Sequence, residues 1–529
     1  MVRYSGEVLI EFSRDIPDEL RREIGDILDM LNSDILRRGA REGEEARIVG
    51  CNVVGKAILM RVTAGRKVPP HVAALRIKNY FEKKIGPRHK LGVRDVMLKN
   101  AVIELSGEHT VKLEVPIIER IDVGEGKTQI FLKDLDEGML KKPILQRLVL
   151  LVEEKEQRKL WGGKIEHWVK IRESARKQLQ YEKDPNIVLE EIGWMKNIAP
   201  GQWLHTPPLA YIIRRFEDLF IDVVLKPVGF LEAIFPKMEP LDIGLKTGHL
   251  KGTPNQMIFA CLPISYNIEE FEEWQDYISI FGNPDPNLLK KFLEPPNYYM
   301  CFAQCPPFYR FLSKTIFTDK NLPVKWFDKS GPSFRWEGTG GLRGLERLVE
   351  FHRIEVVWLG TKEQVIDIRN ALLERYEYFM DKVLDLEWRW AWVTPWFLVH
   401  AGETKEMEEK VDIDQPGTID FEAYLPYKGP RDNPKSWLEI GNISIHGAKY
   451  TKVFKIKHAA GKVLCTGCSG FGVERWVLAF LAQKGFDRKE WPPLVREYIE
   501  KVPKGLEASN YPKPHHIDLK RRIEELLAE

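Results

Sequence analysis

Apolar and polar residues alternate with period two over residues 5–12 (SGEVLIEF), which predicts a strand, and the spacing becomes helical over residues 18–31. Strand-like alternation returns over residues 47–63 and 101–115, with a helix predicted between them over 71–84. These elements imply an α+β fold for the N-terminal part, an antiparallel sheet with helices on one face. Residues 153–185 are charged and helix-prone, with a break at Gly162 and Gly163. This stretch predicts a helical connector at about 153–190 and divides the chain into residues 1–165 and 166–529. In the second part, residues 207–220 read as a long helix and 220–241 (FIDVVLKPVGFLEAIFPKMEPL) as strand.

Residues 333–358 (SFRWEGTGGLRGLERLVEFHRIEVVW) are the most informative stretch. Two alternating arms, 333–336 and 348–358, flank a loop with Gly338, Gly340, Gly341 and Gly344, which predicts strand, flexible loop, strand. Arg335 and Glu337 share one face of the first arm, and Arg347, His352, Arg353 and Glu355 crowd the second. Half-buried strand charges are costly unless they hold a ligand, and the planar fork of arginine suits phosphate. An exposed hairpin with salt-bridged arms is the alternative reading of the same residues. Residues 462–486 (KVLCTGCSGFGVERWVLAFLAQKGF) begin as a strand, turn at Gly467, Gly470 and Gly472, and continue as an apolar helix over 474–484.

Composition narrows the classes. At 529 residues with 43% hydrophobic positions and 15 Trp, the chain has large cores and is not disordered. The net charge is only +2, so a nucleic-acid surface requires local segregation of basic residues. Such segregation occurs over residues 61–99, where Lys and Arg recur against only Glu82 and Asp95. The stretch suits RNA phosphates through counterion release, although a solvated basic face has the same composition. No run approaches the ~20 apolar residues of a membrane span, and a cytoplasmic protein with no membrane partner is expected. Six Cys in so long a chain are not a disulfide framework, but Cys301, Cys305, Cys465 and Cys468 have metal-like spacing.

Arg335 in F-R-x-E, the Gly-rich loop, and Arg347 to Phe351 in R-x-x-x-F resemble motif 2 of the class II aminoacyl-tRNA synthetases. The resemblance implies that Arg335 grips the α-phosphate of ATP, Arg347 approaches the γ-phosphate, and Phe351 stacks on adenine. Gly229, Phe230, Ala233 and Pro236 resemble motif 1, which implies a homodimer. Gly470, Gly472, Glu474 and Arg475 resemble motif 3, with Arg475 on the γ-phosphate. A dinucleotide-binding glycine loop is the rival there, but no βαβ unit surrounds it. By the same resemblance the second domain has the class II antiparallel-sheet catalytic core, Arg335, Glu337, Arg347 and Arg475 form the catalytic set, and Glu439 holds Mg2+ on ATP. Plain alternation puts Glu439 on the strand face of Gly441 and Ile443.

Cys305 before motif 2, Glu355 at its end and Cys468 before motif 3 are similar to the three zinc ligands of the rare methanogen-type seryl-tRNA synthetases. The N-terminal part also has that family's length and α+β character, and no coiled-coil arm is present. The resemblance implies one Zn2+ per subunit that binds the amino group of serine, Trp396, Asn442 and Ser444 around the amino acid, and tRNA(Ser) as partner. Arg353 shares a strand face with Glu355, so it either holds the serine carboxylate or forms a plain salt bridge. A closed zinc site of Cys301, Cys305, Cys465 and Cys468 is the structural alternative. A threonyl-type enzyme and a non-charging RNA-binding paralogue are the functional ones.

Overall fold

A computed structural model of the chain describes residues 2–160, 168–179, 181–336, 341–393, 411–507 and 515–528. The fold is α+β, and the chain divides into two compact units, Met1–Ile165 and Glu166–Glu529.

The first unit is built on six antiparallel strands: β1 (Val2–Phe12), β2 (Ala46–Val54), β3 (Ala57–Ala64), β4 (Val93–Ser106), β5 (Ile118–Gly124) and β6 (Lys127–Leu132). They lie in the order β2-β3-β1-β4-β6-β5. Tyr4, Val8, Ile10 and Phe12 alternate inward along β1 and join a core that includes residues of helices α1 (Asp18–Met30), α2 (Pro70–Tyr80) and α3 (Ile144–Leu160). Two expectations change here. Residues 47–63 are two strands, because Gly55 at φ +55° turns the chain between β2 and β3. The strand expected over 101–115 ends at Ser106, where Gly107 takes φ +99°.

The second unit carries a nine-stranded sheet made of β7 (Trp168–Glu173), β8 (Leu231–Glu232), β9 (Val324–Asp328), β10 (Pro332–Phe334), β11 (Glu350–Thr361), β12 (Trp388–Val393), β13 (Gly417–Tyr424), β14 (Trp437–Gly447) and β15 (Leu464–Gly472). The order is β8-β9-β11-β15-β14-β13-β12-β7, with β10 also paired to β11, and all pairs are antiparallel except β8 with β9. Helices α4 (Pro207–Phe220), α5 (Lys362–Tyr378) and α6 (Val473–Lys484) cover one face. There Phe471 of β15 stacks on Phe220 at 3.9 Å and on Trp476 at 4.6 Å.

Residues 220–241 are not a strand over most of their length. Helical backbone runs on from α4 through Val228, and only Leu231–Glu232 and Met238–Pro240 are extended. Burial of Ile221, Val224 and Leu225 in the core outweighs the β-propensity of the run. The connector also differs from a continuous helix. Trp168–Glu173 is an edge strand against β12, because Val169 and Ile171 alternate with exposed Trp168 and polar residues.

Candidate active site and metal cluster

Register gathers the polar residues of the central strands on the sheet face opposite α4, α5 and α6. Arg353 lies across from Gly472, Glu355 from Gly470 and Val357 from Cys468. On the other side of β15, Asn442 faces Gly470 and Ser444 faces Cys468. Residues directly opposite in antiparallel strands share a face, so Arg353, Glu355, Asn442, Ser444 and Cys468 project together. Gly470 is required there, since a Cβ on it would collide with the Arg353 guanidinium lying across β15.

Cys305, at the start of the short helix Pro306–Phe311, approaches this face. The ligand atoms of Cys305, Glu355 and Cys468 all lie within 4.8 Å of one another, and all three residues are buried. Among the described residues this is the only such group of His, Cys, Asp or Glu. Cys465, three residues from Cys468, packs in the core on the helix side, and Cys301 is buried outside the cluster. The four cysteines therefore do not converge, because an odd separation on β15 turns Cys465 away.

Glu355 is 0% exposed, and among the described residues neither carboxylate oxygen has an aligned hydrogen bond. Arg353 Nε is 2.8 Å from its Oε2, an ion-pair contact outside hydrogen-bond geometry. Burial pushes the Glu355 carboxyl up, and the opposing charge of Arg353 only partly offsets this. Hydrogen bonding to Cys305 together with burial drives the Cys468 thiol well above its ordinary value. Two sulfurs with one carboxylate oxygen fit zinc with one position left open. Behind the sulfur, His446 Nε2 lies 3.4 Å from Cys468 Sγ, while its Nδ1 is 3.1 Å from Thr466 Oγ1.

An adjoining cleft is lined by Arg335, Phe351, Arg353, Glu439, Asn442 and Arg475, together with Glu346 and Glu474. The Arg335 guanidinium stacks over Phe302 at 4.7 Å, and its backbone N–H donates to Val349 at 2.8 Å. Arg475 is aimed by its Nε bond to the Glu346 carbonyl (2.8 Å) and its Nη1 bond to the Glu439 carbonyl (2.9 Å). Ser444 donates or accepts at Thr418 Oγ1, 2.8 Å away.

Glu439 is not on the face that alternation assigns to it. A bulge between Glu439 and Gly441, opposite Phe421 and Glu422, adds one residue to β14 and reverses the parity. Its carboxylate consequently meets Asn442, whose Nδ2 lies 3.4 Å from Oε1. Arg347 is exposed and does not line the cleft. Glu337 and Trp396 lie outside the described residues.

Glu346 and Glu474 are the site residues to which sequence reasoning gave no role. Glu346 is buried and accepts from Tyr427 Oη at 2.5 Å and from the Lys428 ammonium. Its neighbour Arg347 stood out by motif, whereas an acid facing Tyr427 across the fold has no local signature. For Glu474 a signal existed, its place directly before Arg475 at a helix start.

Comparison with known proteins agrees with both units. Residues 2–154 match a family model described as a tRNA-binding domain, and residues 293–484 match the tRNA synthetase class II core domain (G, H, P, S and T). The type-2 serine–tRNA ligase of Methanococcoides burtonii is 40% identical over 493 residues, covering 93% of this chain and 96% of that protein. That of Methanothrix thermoacetophila is 36% identical over 506 residues, covering 94% and 99%. The crystal structure of M. kandleri SerRS in complex with A. aeolicus tRNASec superposes with a TM-score of 0.81 at 31% identity, over 97% of this chain and 100% of that one. With a class II core around the cleft, a tRNA-binding domain before it and full-length relatives that agree, the chain belongs to the type-2 serine–tRNA ligases.

Proposed function

We propose that this enzyme ligates serine to tRNA(Ser) through a seryl-adenylate. The serine carboxylate attacks the α-phosphorus of ATP in line, pyrophosphate leaves, and the seryl group then passes to the terminal ribose hydroxyl of the tRNA. Arg335 and Arg475, the two motif arginines that line the cleft, neutralise charge on the phosphates; Arg347 and Glu337 complete the set by family resemblance. Phe351 offers its ring to adenine, and Glu439, a hard oxygen donor on the cleft wall, suits the Mg2+ carried by ATP.

Cys305, Glu355 and Cys468 would hold zinc, which when bound supplies a Lewis-acid position for the serine amino group. Arg353 stands beside that position for the serine carboxylate. Asn442 and Ser444 supply polar partners for a small hydroxyl amino acid, with Trp396 assigned to the pocket by resemblance alone. What supports serine ligation most is that Arg353, paired with Glu355 of the sulfur–carboxylate cluster, also lines the cleft with Arg335 and Arg475.

The first unit offers the basic surface for tRNA(Ser). Leu231 and Ile234, 68% and 80% exposed in the single chain, fit a two-fold contact in a homodimer. Among the described residues no helix is long and apolar enough to cross a membrane, and a cytoplasmic location follows from the tRNA substrate. ATP–pyrophosphate exchange run with serine, threonine, alanine and cysteine tests the assignment. Exchange with serine above the other three is expected, and exchange with none or with threonine alone would overturn it.

A further inference from the structure

Glu474 and His352 pair at the wall of the cleft, the carboxylate buried and the imidazole ring half-buried. Glu474 is the second residue of α6, is 1% exposed, and immediately precedes Arg475. His352 immediately follows Phe351 on β11. The backbone N–H of His352 donates to both carboxylate oxygens of Glu474, at 2.9 and 3.0 Å, and the ring Nδ1 contacts Oε1 at 2.7 Å. One carboxylate thus ties the start of the strand that carries Phe351 to the start of the helix that carries Arg475. The tie is independent of the bonds that aim Arg475 at the Glu346 and Glu439 carbonyls.

We propose that Glu474 and His352 are positioning residues for ATP, a carboxylate–imidazole clamp that fixes the spacing between Phe351 and Arg475 and so sets nucleotide affinity separately from serine affinity. The clamp rests on the synthetase assignment above. A surface salt bridge would contribute little, but here the carboxylate is buried and also satisfies a backbone donor, so its loss moves the strand and not only a side chain. Charge on His352 strengthens the clamp. Burial lowers the affinity of the ring for a proton, yet its bond to Glu474 outweighs this and raises the pKa above the ordinary 6.5. The other charged groups facing the pair are Arg214, opposing protonation, and Glu217, favouring it, both on α4. His205, half-buried with no hydrogen-bond partner for Nε2 among the described residues, faces Glu474 from the preceding hairpin, and burial lowers its pKa. A pKa raised in the clamped state means that the clamp is fully formed at and below pH 6.5 and weakens as pH rises through the raised value.

The test uses full-length enzyme with Glu474→Gln, which keeps an acceptor for the His352 N–H but removes the charge, and His352→Gln, which keeps a side-chain donor that does not titrate. ATP–pyrophosphate exchange gives KM for ATP and for serine, and calorimetric titration with ATP and Mg2+ gives nucleotide affinity without serine chemistry. Both variants are expected to weaken ATP about 10- to 100-fold, the equivalent of one hydrogen bond to a charged group, with KM for serine within about twofold. Wild-type affinity for ATP should fall between pH 6.5 and 9, and the fall should vanish in His352→Gln. Equal losses for ATP and serine, no loss in either variant, or an unchanged pH profile in His352→Gln would overturn the clamp. Wild-type enzyme that binds ATP but shows no exchange with serine would instead defeat the serine-ligase assignment and leave the calorimetric comparison to judge the clamp.

Discussion

The two large antiparallel sheets treat their polar faces in opposite ways. In the first unit, Arg3, Ser5, Arg47, Arg61 and Thr63 alternate outward from β1, β2 and β3 into solvent. In the second, Arg353, Glu355, Asn442, Ser444 and Cys468 occupy the equivalent alternate positions, yet are half-buried or buried. A charged strand residue in water costs the fold almost nothing, while one at zero exposure needs a partner or a ligand. Identical alternation in sequence therefore carries different meanings, and burial decides which.

The buried face should be the fragile one. Glu355→Ala leaves the Arg353 guanidinium buried without its carboxylate and removes a metal donor. We expect a loss of about 3–5 kcal/mol in stability by denaturant unfolding, with serine-dependent exchange abolished. Zinc per subunit, measured by elemental analysis, should fall with it. A variant with wild-type unfolding and metal content would erase the distinction between the faces.

Next in size come the cleft arginines. Arg335→Ala and Arg475→Ala should each reduce ATP–pyrophosphate exchange about 10^2- to 10^3-fold, the range for removing one preorganised contact to developing charge. Their unfolding midpoints should stay close to wild type, since neither arginine is deeply buried. Exchange within a few-fold of wild type for both would take the phosphates elsewhere.

Strong local signals make much of this legible in the sequence. Helix α4 and the strand–turn–helix from β15 to α6 were readable because apolar periodicity and glycines act locally. Residues 221–228 were misread because their β-branched side chains are buried in the core, a tertiary fact that local propensity cannot encode. Glu439 was put on the wrong face because a one-residue bulge depends on the partner strand, where Phe421 and Glu422 pair around it. The contact of Glu474 with His352 has no local signature for the same kind of reason, since the two lie 122 residues apart.

A third effect is one of pH, at a buried carboxyl on the short strand Met238–Pro240 outside both large sheets. Glu239 is 1% exposed, accepts from Tyr299 Oη at 2.6 Å, and is pushed by burial up to about 8. Its folded pKa lies above the unfolded one, so between about pH 4.5 and 8 the unfolded chain gives up a proton that the folded chain keeps. Stability should decline across that window by a few kcal/mol at most and level off above it. Glu239→Gln should flatten the decline in unfolding curves taken at stepped pH. A decline of the same size in that variant would assign it to other groups.

The smallest effect belongs to the exposed side of the comparison. Arg66, after β3, and Glu153, on α3, form an ion pair at 3.2 Å with side chains 53% and 44% exposed. Water screens both charges, and two long side chains lose freedom to meet, so a double-mutant cycle of Arg66→Ala and Glu153→Ala should give a coupling of about 0.2–1 kcal/mol. Raising ionic strength from about 0.1 M to 1 M shortens the screening length from about 10 Å to 3 Å and should remove most of it. The corresponding cycle on Arg353 and Glu355 should show a larger coupling, because each single change strands a buried charge, and salt should scarcely alter it. Equal couplings, or equal salt sensitivity, would mean that burial does not separate the two sheets, and the buried charges would lose their claim to a ligand.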